Sequence, residues 1–324
     1  MAEIQENGNF ENTRNKDTPW SNVPVLEKAR EKLAPLSFEV FDGIPYFSYQ
    51  CVRDFSRMFE DIDNAELRDD DVITVGFPRS GNHWTFEVLT MIQQQSTDFA
   101  KDYYYRRVME CIGDTITEKL SSFPSPRILA LHTRMSRLPK KTVEKKVKVV
   151  YILRNPKDVL VSWYRLSYAA KLPENGFRGT WEEFYELQLT GEHPWGTWFD
   201  HVLAAEQYLQ DNPDCRCFVL QYEKMKENAV DVIKQLCHFL GQPEAKAEDI
   251  AQRTNFRAMA EGMREKHENQ VKSLLKEGEA FLVKGEIGGW KRYFTVDQNE
   301  RFNSMFEEKM RGCKLADSVR PYLN

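Results

Sequence analysis

The stretch Val75-Gly76-Phe77-Pro78-Arg79-Ser80-Gly81-Asn82-His83-Trp84 constrains the fold more than any other part of the chain. It follows an apolar run, Asp71 to Gly76, that reads as a buried strand, and it leads into an amphipathic stretch from Trp84 to Gln95 that reads as a helix. Gly76 and Gly81 have the G-x4-G spacing of a phosphate loop, in which glycines let backbone amides turn towards an anion at a helix N-terminus. The Lys-Ser/Thr that a nucleotide triphosphatase carries after the second glycine is absent: Asn82 and His83 stand there, and Arg79 lies inside the loop. A plain strand-to-helix turn has the same spacing, so the loop alone leaves both readings open.

The alternation continues along the chain. Arg127 to His132, Val147 to Leu153 and Cys217 to Tyr222 read as further strands. Helices fit from Pro156 through Tyr168, where Pro suits a first helical position, and from about Asn228 to Leu240, which Gly241 would stop. Strands separated by helices of this length need crossover connections, so the expectation is an α/β fold with a central parallel sheet flanked by helices. No repeat or linker-like tract divides the chain, which favours a single domain over residues 25–324. Residues 1–24, rich in Asn, Glu and Thr without apolar periodicity, read as a flexible N-terminal arm.

Charge narrows the partners. Over 324 residues, 45 Lys and Arg face 50 Asp and Glu, a net charge of -5, which argues against a nucleic-acid partner whose affinity comes from phosphate neutralisation. Any anion site must be local, and Arg134 to Lys148 is one basic run that could serve it or simply connect two strands through solvent. A mean hydropathy of -0.61 with 41% hydrophobic residues excludes both a membrane bundle and a disordered chain. The six cysteines are scattered, and Cys215-Arg216-Cys217 has neither zinc nor redox spacing, so no metal is expected. With no apolar stretch in the first twenty residues, a cytoplasmic protein without a membrane partner is expected.

A second anchor lies where the strand Val149 to Leu153 runs into Arg154-Asn155-Pro156, a place where a magnesium-binding carboxylate would stand in an ATP-dependent enzyme. Arg154 at a strand end, with Ser162 on the helix that follows, could clamp another phosphate; a surface Arg and a helix-face Ser is the plainer reading.

Phe77-Pro78-Arg79-Ser80-Gly81-Asn82-His83-Trp84 resembles the Tyr-Pro-Lys-Ser-Gly-Thr-Thr-Trp loop of the cytosolic sulfotransferases, which move a sulfuryl group from 3'-phosphoadenosine 5'-phosphosulfate (PAPS) to a hydroxyl or amine acceptor. Tyr151 to Tyr164 is similar to that family's 3'-phosphate motif, Lys284-Gly285-Glu286-Ile287-Gly288-Gly289-Trp290-Lys291 to its RKGxxGDWK segment, and Lys291, Thr295, Val296 and Glu300 to its KxxxTVxxxE dimer motif. The likeness spans roughly residues 40 to 310.

The resemblance implies a P-loop-like phosphosulfate-binding loop in which Arg79, Ser80, Gly81, Asn82, His83 and Trp84 surround the 5'-phosphosulfate and adenine. It implies that Arg154 and Ser162, with Lys284 and Gly285, hold the 3'-phosphate, and that Tyr222 and Thr254 contact the adenine. His132 would be the catalytic base and Arg79 the cation at the departing oxygen; no metal is required, and 3'-phosphoadenosine 5'-phosphate (PAP) is the product. A histidine that titrates near neutrality suits removal of an acceptor's proton, and a cation suits stabilisation of the leaving oxygen. His83, where the family has Thr, would act as a loop donor or a second cation.

Four positions leave the pattern: Arg79 for Lys, Ala130 for a Lys beside the transferred group, Val283 for the Arg of RKG, and Gly289 for the Asp of GDW. These imply weakened donor binding, partly restored by His83, Lys284 or the basic run, and keep a catalytically idle nucleotide-binding paralogue as the alternative. The acceptor is expected to be a small, mostly apolar phenol or sterol beside aromatic residues, with Phe47, Tyr104 and Tyr168 as candidates. The dimer motif implies a homodimer.

Overall fold

The computed structural model describes residues 21–33, 38–47, 52, 54–113, 115–170, 177–274 and 285–324. It begins with α1 (Val23–Leu33), which carries Pro24 in its first turn, where a missing amide proton costs nothing. A hairpin of β1 (Phe38–Phe41) and β2 (Ile44–Phe47) turns through Asp42 and Gly43, both at positive φ, the conformation a tight two-residue turn needs. After α2 (Phe55–Asp63), capped by the Asp54 carboxylate on the Arg57 amide, the chain enters the central sheet.

The sheet-building half comprises β3 (Val72–Gly76), α3 (Asn82–Gln94), the short α4 (Met109–Ile112) and α5 (Ile116–Ser122), β4 (Ile128–Leu131), β5 (Lys148–Leu153), α6 (Pro156–Ala169), α7 (Trp181–Thr190), α8 (Trp198–Asp211) and β6 (Cys217–Gln221). The remainder is helical: α9 (Tyr222–Glu227), α10 (Ala229–Leu240), α11 (Ala247–Arg253), α12 (Phe256–Leu274), α13 (Val296–Lys309) and α14 (Lys314–Asp317).

The sheet is parallel throughout, in the order β4-β3-β5-β6. Alternate strand residues feed two apolar cores. Ile73, Val75, Leu129, Leu131, Val149, Tyr151 and Leu153 face one, while Val72, Ile128, Ala130, Val150, Ile152 and Leu220 face the other. Burial on both faces is what an all-parallel sheet with crossover helices requires, and it explains the nearly unbroken apolar runs in the sequence.

The elements agree with the sequence expectation, with shorter strands. Asp71 and Arg127 drop out at the foot of the sheet because their side chains bond to each other there: Arg127 Nε donates to Asp71 Oδ1 at 2.7 Å, and its other nitrogens reach the Leu120 and Glu66 carbonyls. His132 and Tyr222 drop out at the top, where the chain leaves the sheet. α10 ends where Gly241 adopts φ 70°, as the glycine implied.

Candidate active site

Parallel register aligns the upper ends of the four strands. Val75 pairs with Leu131, Gly76 with Ile152, and Leu153 with Gln221. The next residues therefore emerge along one edge: the Phe77 to Gly81 loop from β3, His132 from β4, Arg154 from β5 and Tyr222 from β6. In open α/β sheets this carboxyl edge is where ligands bind. All four borders line one cavity of about 1010 Å³.

The loop is shaped by its main chain. Arg79 has φ 72° and Gly81 φ 108°, and a Cβ on Gly81 would lie 2.7 Å from the Tyr222 ring. Gly76 is as tightly enclosed, since a Cβ there would meet Asn82 Oδ1 at 2.4 Å. The Ser80 amide and the Asn82 side-chain amide both donate to the Phe77 carbonyl at 3.1 Å, tying the loop to itself. The first turn of α3 has no side-chain cap, which leaves its amide dipole for an anion.

Two cations meet at this loop. Arg79 Nε donates to Ser162 Oγ at 3.2 Å, and Arg154 Nη1 donates to the Arg79 carbonyl at 2.8 Å while its guanidinium lies 4.2 Å over the Tyr222 ring. In this arrangement Ser162 serves Arg79 and Arg154 braces the loop. Burial, with the Arg154 charge adding to it, pushes the Arg79 guanidinium down to about 10. Arg154 Nε, Trp84 Nε1 and Asn82 Oδ1 are buried without a hydrogen-bond partner among the described residues. Such open polar atoms, at a cationic loop, fit a polyanionic ligand with a ring that stacks.

The adenine-side expectations converge here as well. Trp84 packs edge-on to Tyr222 with centroids 5.5 Å apart, and Thr254 lines the cavity although its hydroxyl is spent on the Ile250 carbonyl. Gly285, at φ 56°, closes over Tyr222 and Phe256. Lys284 and Val283 lie outside the described residues. Sequence reasoning missed Lys226 and Phe256 of this wall; burial, with the Arg154 charge, lowers the Lys226 ammonium from its ordinary value.

The turn that follows Arg154 fastens the late loop. Asp158 accepts from the amides of Gly288 and Trp290 at 2.8 and 2.9 Å, and a Cβ on Gly289 would approach its Oδ1 to 3.6 Å. An Asp at position 289 would bring a second carboxylate there. Lys157, fully buried, donates to Asn299 Oδ1, Asn303 Oδ1 and the Leu323 carbonyl within 2.6 Å, beneath the Trp290 ring.

His132 sits across the cavity, 6% exposed. Its Nδ1 lies 3.1 Å from Glu110 Oε1 and its Nε2 lies 3.2 Å from the Tyr104 hydroxyl. Glu110, 2% exposed in α4, went unnoticed in the sequence because no motif marks it. Beside this group the wall turns aromatic, with Phe47 and Trp163 each packed on Trp195, and Tyr103, Tyr105 and Phe123 also in the lining. His83 faces Tyr103, Tyr104 and Tyr105 at centroid distances of 5.8, 4.2 and 5.3 Å.

Two expectations need correction. Tyr168 is 56% exposed and outside the cavity wall, because on α6 it lies on the face opposite Trp163. Tyr104 is 2% exposed and stands behind the wall, its hydroxyl on His132; Tyr103 and Tyr105 do the lining. The basic run contributes nothing to the cavity: Arg137 pairs with Asp42, Arg134 with Asp200 and Lys141 with Glu66, while Lys145 and Lys148 bond the Leu67 and Leu240 carbonyls. Elsewhere, Lys291, Thr295, Val296 and Glu300 form an exposed patch, with Thr295 capping α13 and Val296 75% exposed. Among the described residues no three His, Cys, Asp or Glu side chains gather into a metal-binding group, and no helix is long and apolar enough to cross a membrane.

Comparison with known proteins agrees with this geometry. The family profile described as the sulfotransferase domain matches residues 69–314. Human sulfotransferase 6B1 is 31% identical over 298 residues, covering 91% of this chain and 93% of the relative. Mouse sulfotransferase 1A1 is 33% identical over 298 residues, covering 89% and 97%. The crystal structure of mouse sulfotransferase SULT7A1 complexed with PAP superposes with a TM-score of 0.73 at 30% identity, covering 88% of this chain and 99% of that one.

Proposed function

This chain belongs to the sulfotransferase family, and from that premise we propose that it transfers the sulfuryl group of PAPS to a hydroxyl or amine of a small, mostly apolar acceptor. The observation that carries this reading is the convergence of all four strand ends on one cavity, with two buried guanidinium groups on one side and an oriented histidine on the other.

The donor would be held at the cationic loop and the helix start that follows it. Arg79, the amides of Ser80, Gly81, Asn82 and His83, and the first turn of α3 suit the 5'-phosphosulfate, and Arg154 with Ser162, Lys284 and Gly285 suits the 3'-phosphate. Trp84, Tyr222 and Thr254 border the space for the adenine. When bound, PAPS supplies an activated sulfuryl group. The chain's own work is to align it, to stabilise charge on the departing oxygen through Arg79, and to take the acceptor's proton at His132. The aromatic wall of Phe47, Trp163, Trp195 and Tyr105 supports a phenol- or sterol-like acceptor.

An exposed valine beside a capped helix start supports an isologous homodimer through Lys291, Thr295, Val296 and Glu300; sedimentation that finds only monomer at micromolar concentration overturns it.

The test of the donor site is calorimetric titration with PAP, beside ATP and magnesium, of the wild type and Arg154→Ala. PAP binding that weakens by about 100-fold in the variant is expected, from two charge-assisted hydrogen bonds lost. A preference for magnesium-ATP, or no PAP binding, sinks the reading.

A further inference from the structure

We propose that Glu110 is the positioning residue of the base, holding His132 as the tautomer protonated on Nδ1 so that Nε2 alone can take the acceptor's proton. This rests on the reading of His132 as the base.

Glu110 belongs to α4, beside β4, where Val108 bridges to Ala130. Its Oε1 accepts from the His132 backbone amide at 2.6 Å and lies 3.1 Å from the His132 Nδ1. Its Oε2 is buried with no hydrogen-bond partner among the described residues. Every hydrogen bond this carboxylate makes there is therefore to His132. An ionised carboxylate only accepts, so the nitrogen facing it carries the hydrogen, and in a neutral imidazole the lone pair then lies on Nε2.

The opposite side agrees. Nε2 faces the Tyr104 hydroxyl at 3.2 Å, and burial, reinforced by the Glu110 charge, raises the Tyr104 phenol well above its ordinary value, so it remains O–H and donates. Other titratable groups surround the pair without bonding the ring. Tyr46 of β2 is raised by burial and by Glu110, with Arg134 and Arg137 opposing, and His201 of α8 is pushed down to about 3 by burial. Cys111 adjoins Glu110 in sequence.

In the step this geometry serves, the acceptor hydroxyl takes the place of the Tyr104 hydroxyl at Nε2. The acceptor's O–H bond breaks and its proton passes to Nε2; its electron pair forms the new O–S bond, and the pair of the old bridging bond leaves with PAP. The imidazolium that results lies against the Glu110 carboxylate, which favours its charge. Removing the carboxylate leaves both the His132 backbone amide and Nδ1 without their shared acceptor, so nothing fixes the tautomer.

The experiment uses the full chain labelled with nitrogen-15 histidine, with the His132 ring assigned by comparison with His132→Ala. The wild type should show a protonated Nδ1 and a lone-pair Nε2 at pH 8; a protonated Nε2 overturns the inference without any variant having to fold. Glu110→Leu should then populate the other tautomer and lower kcat by about 100-fold or more, leaving the PAP dissociation constant within twofold. Glu110→Asp, which keeps a carboxylate, should restore much of the rate. If His132→Ala turns over normally, the base reading fails. If His132→Ala is inactive while Glu110→Leu matches the wild type in rate and tautomer, this inference alone fails.

Discussion

From Gly76 to Tyr222 the donor half of the cavity is shaped by main chain at positive φ and by aligned strand ends, whereas the acceptor half is shaped by side chains brought together from β2, the Tyr103 to Tyr105 turn, α6 and the Trp195 turn. The first kind of site tolerates changes of side chain. Arg79 stands where a lysine is usual and His83 where a threonine is, yet the loop keeps its bonds to the Phe77 carbonyl. Ala130 faces the apolar cluster that also contains Phe86, Tyr103 and Tyr104, so the side chain usual at that position is exchanged for aromatic packing. The second kind of site has no such frame, and each substitution reshapes it.

The contrast is sharpest at Gly81. Gly81→Ala must place a Cβ at φ 108° and 2.7 Å from the Tyr222 ring, a strain on the order of 1–3 kcal/mol. PAP binding should weaken by about tenfold or more in calorimetry, with a lower Tm, although no polar contact is removed; an unchanged dissociation constant would break the distinction between the two halves.

A smaller effect belongs to the acceptor half. Tyr104→Phe removes the hydroxyl that occupies His132 Nε2, a hydrogen bond worth about 0.5–1.5 kcal/mol. Acceptor KM should fall by a few-fold in steady-state kinetics with PAP affinity unchanged. A loss of kcat as large as that of His132→Ala would instead make the phenol part of the proton's route.

A further effect is on stability. His193, fully buried against Trp163 and Phe184 with both ring nitrogens unpartnered among the described residues, is pushed down to about 3 by burial. Its folded value lies below the unfolded one near 6.5, so the stability that neutral burial provides is present above pH 6.5 and is lost as pH falls towards 3, because the unfolded chain takes the proton. His201, with the same shift, behaves alike. Thermal melts between pH 7.5 and 5 should show a shallower decline for His193→Phe than for the wild type, and an identical slope would mean that the imidazole is not held neutral.

What could be read in the sequence follows the same division. The glycine spacing and Arg154 are legible because each adjoins a strand carried by a local apolar run, whereas His132 and Tyr222 are reached through the family resemblance. Glu110, Trp195, Lys226 and the placing of Tyr104 are not, since their roles arise from contacts between elements that no local pattern records. Tyr168 shows the failure plainly: its neighbour Trp163 is buried, but helical phase turns the tyrosine outward. Ser162, expected to join Arg154 at a second phosphate, bonds instead to Arg79 of the loop.

Because every strand of the four-stranded sheet ends at one cavity, a ligand bound there is also a brace across the sheet. A ligand that binds only the folded chain at a hundred times its dissociation constant adds about 2.7 kcal/mol to stability, a sizeable share of what a domain possesses. On the proposed reading, the lifetime of this protein in a cell would be tied to the supply of 3'-phosphorylated nucleotide. Scarcity would thin the population of folded molecules as well as slow the turnover of each one.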